Sequence, residues 1–358
     1  MTFSQDYQNF LQVFNPHLES YLDSIPAQVK DMDKSVLSLI EISSLATKSS
    51  GKRLRPYLVS LGYQIAGKQS YDQKTVLDAA LVAEIFHSFA LIHDDIIDKS
   101  DSRRNQKTSH VVFEDIHKQK QLRNDASHFG TSMAILAGDL EVALSSLLIA
   151  NLNISLEIKQ KLISAYSEMF FNLVLGQYQD VYQSFDPDRP SEKMIMSTLR
   201  WKSGEYTIEF PLKFGGLLGG ADEKLLDFFK VFATPVGIAF QLKDDLLGVF
   251  SSSTDIGKSN LSDIREGKNT LLIKYALDRV SSDQKSQLDR ILGNENADEN
   301  DLKTVQKILI DTGSYDIIEN KILQLSKEAK SYVSTSHIEE KYKNILEEFA
   351  DFVINRDK

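Results

Sequence analysis

Cysteine is absent from the 358 residues, which excludes disulfides, thiolate metal sites and cysteine nucleophiles and makes a reducing cytosol the natural home. Proline and glycine are scarce, at 7 and 17 residues, so collagen-like, low-complexity and loop-dominated chains are excluded too. Length alone implies about two domains. Without a Pro/Gly-rich linker anywhere, the expectation is a single all-helical domain over residues 1–358. Net positive charge is also missing: 41 Lys+Arg against 51 Asp+Glu leaves −10. A nucleic-acid partner would require a broad basic surface. The start, Met1-Thr-Phe-Ser-Gln-Asp, lacks the basic and apolar regions of a signal peptide. The most apolar stretch, residues 133–152, is interrupted by Asp139 and Glu141; it falls short of about 18 unbroken apolar residues and is expected to be a buried helix rather than a transmembrane segment.

Strand-like alternation bounded by turns is nearly missing as well. Residues 75–98 and 154–175 run without Gly or Pro at helical periodicity. Breaks are expected at residues 49–51, 67–68, 184–190, 215–220 and 251–257. After about residue 280 the pattern turns polar and irregular, with a loop expected over residues 293–301. The fold class is therefore all-α.

Basic residues gather in short runs, Lys52-Arg53-Leu54-Arg55 and Arg103-Arg104, as a small anionic ligand on an acidic protein would require. The strongest chemical signal is Glu84-Ile-Phe-His-Ser-Phe-Ala-Leu-Ile-His-Asp-Asp-Ile-Ile-Asp98. Asp94 and Asp98 are four apart and share a helix face. His87 falls within about 40° of arc of both at ~100° per residue. Like charges at this spacing repel, so folding alone does not select them. A hard divalent cation repairs the repulsion, and Mg²⁺ is typically held by one or two carboxylates with substrate phosphates completing its octahedron. A solvated acidic turn is the commoner fate of an Asp-Asp pair, but the residues before this one are nearly all apolar. A buried helix should not end in uncompensated carboxylates unless something cationic meets them.

A second cluster follows in Phe240-Gln-Leu-Lys-Asp-Asp-Leu-Leu-Gly-Val-Phe250, where Gln241, Asp244, Asp245 and Gly248 share a face at i, i+3, i+4, i+7. Two such helices facing each other would clamp metal ions from both sides. Nucleotide loops are not present: residues 215–220 do not fit G-x-G-x-x-G, and Gly267-Lys268 lacks the upstream glycine of a P-loop.

With both clusters in view, the chain resembles the trans-isoprenyl diphosphate synthases, or polyprenyl synthetase family, from about Gly51 to Thr270. Gly51-Lys-Arg-Leu-Arg-Pro56 is similar to the first basic motif, and Asp94-Asp-Ile-Ile-Asp98 followed by Arg103-Arg104 to the first aspartate-rich motif and its arginine pair. Gly176-Gln-Tyr-Gln-Asp180 resembles the mid-chain Gly-Gln-x-x-Asp, and Lys202-Ser203-Gly204 stands where the family has Lys-Thr-Gly. Gln241 with Asp244-Asp245 resembles the second aspartate-rich motif, and Gly257-Lys258 and Gly267-Lys268 the lysines after it. Two departures stand out. Gly248 replaces a third aspartate, so one outer metal contact is expected to fall to water, and Ser203 replaces threonine while keeping the hydroxyl. The Gly-ending variant followed by Ser262-Asp-Ile-Arg-Glu-Gly-Lys268 is similar to geranylgeranyl diphosphate synthases of archaeal type.

The resemblance implies a single large helical bundle with a central cavity, condensing isopentenyl diphosphate with allylic prenyl diphosphates, and a homodimer. It implies Mg²⁺ on Asp94, Asp95, Asp98, Asp244 and Asp245, with Lys202, Lys258, Lys268 and Arg103 on the allylic diphosphate. Lys52, Arg55, His87 and Arg104 would hold isopentenyl diphosphate, Ser203 would contact substrate, and Gln241 with backbone carbonyls near Lys202 would stabilise the allylic cation. For product length, Phe89 lies about 7.5 Å and Phe86 about 12 Å before Asp94 at ~1.5 Å per residue. Ala90 sits about 40°, Phe86 about 80° and Phe89 about 140° round the helix from Asp94. A small Ala90 opens the upper pocket, and an aromatic five residues before the motif is tied in the family to the twenty-carbon geranylgeranyl product. Farnesyl and longer products, a terpene cyclase and a non-catalytic partner subunit stay open. The basic motif disfavours the cyclase, and the five carboxylates disfavour the inactive subunit.

Overall fold

Helix termini carry local signals that stop and start the chain. Asp72, Asp125 and Asp222 each accept a backbone N–H from three residues on, and Ser281 and Asp298 form reciprocal capping boxes, so orphan donors of the first turn are satisfied. A computed structural model describes residues 2–29, 31–33, 35–49, 51–103, 105–186, 190–251 and 261–356. It is all-α apart from one two-residue antiparallel hairpin, β1 Ser102–Arg103 with β2 Gln106–Lys107. Arg104, Gly257 and Lys258 lie outside the described residues.

Backbone contacts group the chain into two compact units, one of residues 4–163 and 215–220, the other of residues 1–3, 164–214 and 221–358. The first holds α1 (Phe3–Gln28), α2 (Ser35–Lys48), α3 (Leu54–Ala66), α4 (Gln73–Ile97), α5 (Ser109–Gln119) and α6 (Ala126–Asn151). Helix α4 packs on α3 and α6, and Tyr57, Leu58, Leu61, Leu81 and Phe86 lose all exposure there. In the second, most of α7 (Leu156–Phe185) and α8 (Glu192–Thr198) lead into a π-helical stretch, Leu199–Glu209, then the start of α9 (Phe210–Leu218), whose residues from 215 on belong to the first unit, and α10 (Glu223–Phe250). Helix α10 packs against the π-helical stretch and against Ser314–Thr335 near the C-terminus.

Four expectations are corrected. Residues 215 and 216 continue α9 instead of breaking it; Gly215 is there for close approach, since a Cβ on it would fall 1.9 Å from the Val59 carbonyl oxygen of α3. The polar region after residue 280 is regular, with helices Ser282–Ile291, Glu299–Asp311, Ser314–Thr335 and Glu340–Asn355; their narrow apolar stripes escape a reading tuned to broad ones. The expected loop over 293–301 accordingly ends early, because Asp298 caps a helix from Glu299. Helix α6 is only partly buried, leaving Ile135, Leu136 and Leu147 42–52% exposed. By length and composition α4, α6 and α10 are each able to cross a membrane, but 72%, 44% and 50% of their most apolar windows are buried inside the protein, so much of their apolarity serves the core.

Glu141 of α6 is wholly enclosed and accepts from Ser43 and, at 3.0 Å, from Thr47 of α2. Burial pushes its carboxyl up to about 7 against the lowering effect of those bonds. The folded state therefore keeps a proton that the unfolded chain releases near 4.5, and stability falls as pH rises between those values. Glu141→Gln should match the wild type at pH 4.5 and melt at a higher temperature at pH 8, as differential scanning calorimetry would show.

Candidate active site

The first unit builds one cluster at the end of α4. Asp94 is half-buried, Asp95 is 5% exposed, and Asp98 caps the helix with its N–H on the Asp94 carbonyl at 2.8 Å. The hairpin after the helix folds Arg103 back: its Nε lies 2.7 Å from Asp95 Oδ1, and its Nη2 is 3.5 Å from Asp94 Oδ2. Burial works against the Arg103 charge, but Asp95 and Asp94 outweigh it and raise its pKa. The cation that sequence reasoning demanded at this helix end is thus partly the chain's own.

The basic motif opens α3. Lys52 is exposed, Arg55 is half-buried, and Arg55 Nη1 lies 3.2 Å from His87 Nε2 of α4, so the two residues grouped by resemblance do meet. Phe86 is fully buried and Phe89 is 8% exposed. Their rings pack 5.1 Å apart, and Phe89 meets the His93 ring at 4.7 Å. Ala90 is half-buried beside them in sequence. His93 in turn meets the Ile135 carbonyl at 3.1 Å.

The second unit builds another cluster around α10. The π-helical stretch carries Lys202 and Ser203, and such irregular turns occur often at functional sites because they redirect side chains and free backbone groups. It lies tight on α10: a Cβ on Gly237 would fall 2.4 Å from the Gly204 Cα. Ser203 Oγ donates to Gln241 Oε1 at 2.7 Å, and Gln241 Nε2 donates to Asp245 Oδ1 at 2.9 Å. Lys202 Nζ lies 2.5 Å from Asp180 Oδ2. That pair explains the Gly176–Asp180 motif. Asp180 holds the lysine head, and Gly176 admits its backbone, since a Cβ there would fall 2.8 Å from Lys202 N.

Asp245 is buried and its Oδ2 has no hydrogen-bond partner among the described residues. Burial pushes its carboxyl up to about 7; the Gln241 bond opposes this, and Asp263 and Asp244 add to it. A buried carboxylate oxygen left bare beside two other carboxylates is an environment that a divalent cation stabilises, so the donor set fits a hard metal. Among the described residues no three His, Asp or Glu converge tightly enough to hold one by themselves.

Several residues escaped sequence reasoning. The space beside Gly248 is not open: a Cβ there would fall 2.2 Å from Asp263 Oδ2. A side chain at that position would meet the carboxylate of Asp263, from the short helix Ser262–Glu266. Lys268 Nζ lies 3.4 Å from Asp263 Oδ1 and 2.8 Å from Glu266 Oε2. Arg356, just past the last helix, sets Nη2 2.8 Å from Asp244 Oδ1 and donates to the Phe240 carbonyl at 2.6 Å. Its guanidinium carbon lies 3.7 Å from the Phe240 ring centroid. Asp263 was readable as part of Ser262–Lys268; nothing in local pattern marks Arg356.

Comparison with known proteins identifies the family. Residues 38–309 match the polyprenyl synthetase family. A short chain isoprenyl diphosphate synthase of Methanocaldococcus jannaschii is 30% identical over 349 residues, covering 98% of this chain and 95% of that protein. A geranylgeranyl diphosphate synthase of Sulfolobus acidocaldarius is 28% identical over 354 residues, 96% of this chain and 99% of that one. The solved geranylgeranyl pyrophosphate synthase of Corynebacterium glutamicum, complexed with isoprenyl diphosphate and magnesium, aligns with a TM-score of 0.93 and 30% identity over 97% of this chain and 98% of its own. The chain belongs to the polyprenyl synthetase family and is a prenyltransferase.

Proposed function

We propose that the protein condenses isopentenyl diphosphate with allylic prenyl diphosphates in the presence of Mg²⁺ to give geranylgeranyl diphosphate, and that residues 1–358 act as one catalytic domain. The observation that carries this reading is the linked set Lys202, Ser203, Gln241 and Asp245, which joins a fixed ammonium and a polar relay to a carboxylate with one oxygen bare. Bound Mg²⁺ would neutralise diphosphate charge, the main obstacle to its departure. Asp94, Asp95, Asp98, Asp244 and Asp245 would hold it. Lys202, with Lys258 and Lys268, would bind the allylic diphosphate oxygens. As the allylic C–O bond breaks, Gln241 Oε1 and π-helical carbonyls would face the growing positive charge. The double bond of isopentenyl diphosphate then forms the new C–C bond, and the departing diphosphate takes the proton lost from the adjacent carbon.

Lys52, Arg55, His87 and Arg104 form the second diphosphate site in this reading. It uses cations without a metal because its diphosphate must stay bonded. Arg103, drawn to Asp95 and Asp94, would trade part of that pairing for substrate oxygens. The named relatives support the twenty-carbon product. Farnesyl diphosphate is the second reading, because two phenylalanines packed together on α4 also fit a shorter pocket. Chromatography of products from Phe86→Ala and Phe89→Ala tests this: at least one should lengthen the product. Unchanged length in both would move the pocket floor to another helix.

The partner of this chain is proposed to be a second copy. Phe171, Val174, Tyr178, Tyr182 and Phe185 of α7 are each at least half exposed and recur at three- or four-residue steps, which is the seam of a helix-to-helix interface. Light scattering should give twice the mass of the chain, and Phe171→Glu with Tyr178→Glu should halve it. The absence of cysteine makes a cytoplasmic enzyme the simplest assignment.

A further inference from the structure

The basic loop carries three cations, and the fold treats one of them differently. Lys52 is exposed and Arg55 half-buried, whereas Arg53 is only 8% exposed. Its backbone is left-handed, at φ 51° and ψ 33°, a region that a residue with a Cβ enters seldom and holds only where its surroundings enforce it. Those surroundings are four acceptors. The guanidinium donates to the carbonyls of Thr47 and Lys48 at 3.1 Å and of Ser49 at 3.2 Å, and to the Glu84 carboxylate. The three carbonyls end α2, where helix geometry leaves them unsatisfied and the helix dipole is negative. A planar fork with five donors can serve several acceptors at once, which an ammonium on a flexible stem cannot.

Glu84 is itself 5% exposed, and it lies one turn before His87 on the same face of α4. The helix therefore presents two rungs: Glu84 takes Arg53, and His87 takes Arg55. The first rung is a buried charge pair. The second ends on a cation assigned to substrate. Between them lies only the Arg53–Arg55 stretch of backbone.

We propose that Arg53 and Glu84 are positioning residues, whose buried pair locks the left-handed turn at residue 53 and so sets Lys52 and Arg55 at the spacing that receives a metal-free diphosphate. This rests on reading Lys52, Arg55 and His87 as the isopentenyl diphosphate site.

Arg53→Lys keeps the charge but loses the fork, and Glu84→Gln keeps the shape but loses the counter-charge. Each should raise the KM for isopentenyl diphosphate about tenfold, since small misplacements of binding groups have large effects, and weaken metal-free binding of that substrate by calorimetry. The allylic KM and kcat should stay within about twofold, with helicity intact by circular dichroism. Should Glu84→Gln fail to fold, the double variant Arg53→Met/Glu84→Met removes both buried charges and carries the same expectation. Folded variants with an unchanged isopentenyl diphosphate KM, or with all constants moving together, would overturn the proposal. Arg55→Ala is the control. If it too leaves that KM unchanged, the substrate-site reading itself fails; if it raises the KM while the Arg53 and Glu84 variants do not, only the positioning role fails.

Discussion

Asp94→Ala is expected to lower kcat at least about a hundredfold, about 2.7 kcal/mol at ~1.36 kcal/mol per tenfold, with Asp98→Ala in the same range. The expected size follows from where the charge goes. Diphosphate departs with its negative charge still concentrated, and a metal held on the α4 carboxylates is worth several kcal/mol of transition-state stabilisation. The structure also says why the loss should be catalytic rather than structural. Asp94 and Asp98 are half-buried, and Arg103 keeps its 2.7 Å bond to Asp95 when Asp94 is gone, so the hairpin retains its anchor. Circular dichroism should be unchanged, and the residual rate should respond weakly to added Mg²⁺. Near-normal turnover in either variant would remove the metal assignment.

Lys202→Ala should produce the next largest effect, and one of a different kind from Arg55→Ala. Lys202 is gripped by Asp180 at 2.5 Å and its backbone is pressed on Gly176. It is thus a preorganised cation of the type that stabilises charge developing in a transition state. Its loss should lower kcat about a hundredfold and raise the allylic KM, with little change in the KM for isopentenyl diphosphate. Asp180→Ala should reproduce a part of this through a loosened lysine. Arg55 meets His87 at 3.2 Å in the other unit, and its removal should raise the KM for isopentenyl diphosphate while leaving kcat nearly alone, the signature of lost uniform binding. The same kinetic pattern in both variants would mean that the cations are wrongly divided between the two substrates.

The helices before residue 280 and the motif spacing were legible because they are local. Asp94 with Asp98, and Gln241 with Asp244 and Asp245, share faces by the 3.6-residue repeat, and Arg55 and His87 meet as grouped. What stayed hidden depends on residues far apart in the chain. No spacing rule brings Arg356 to Asp244 at 2.8 Å, or Asp263 into the space that Gly248 leaves. Gly215 reads as a breaker until Val59 is seen against it. The run Lys52-Arg53-Leu54-Arg55 reads as three equivalent cations, yet Arg53 is spent on carbonyls and Glu84. In each case the deciding partner comes from another segment of the chain, and only packing reveals it.

The most direct test of metal-assisted diphosphate ionisation followed by chain elongation is one incubation series, with diphosphate release and products both followed. Farnesyl diphosphate and isopentenyl diphosphate with Mg²⁺ should release one diphosphate per geranylgeranyl diphosphate formed, and EDTA should stop both. Omitting isopentenyl diphosphate should leave the allylic substrate intact as free of turnover to hydrocarbon or alcohol. Condensation that persists in EDTA, or steady consumption of the allylic substrate without isopentenyl diphosphate, would contradict the account.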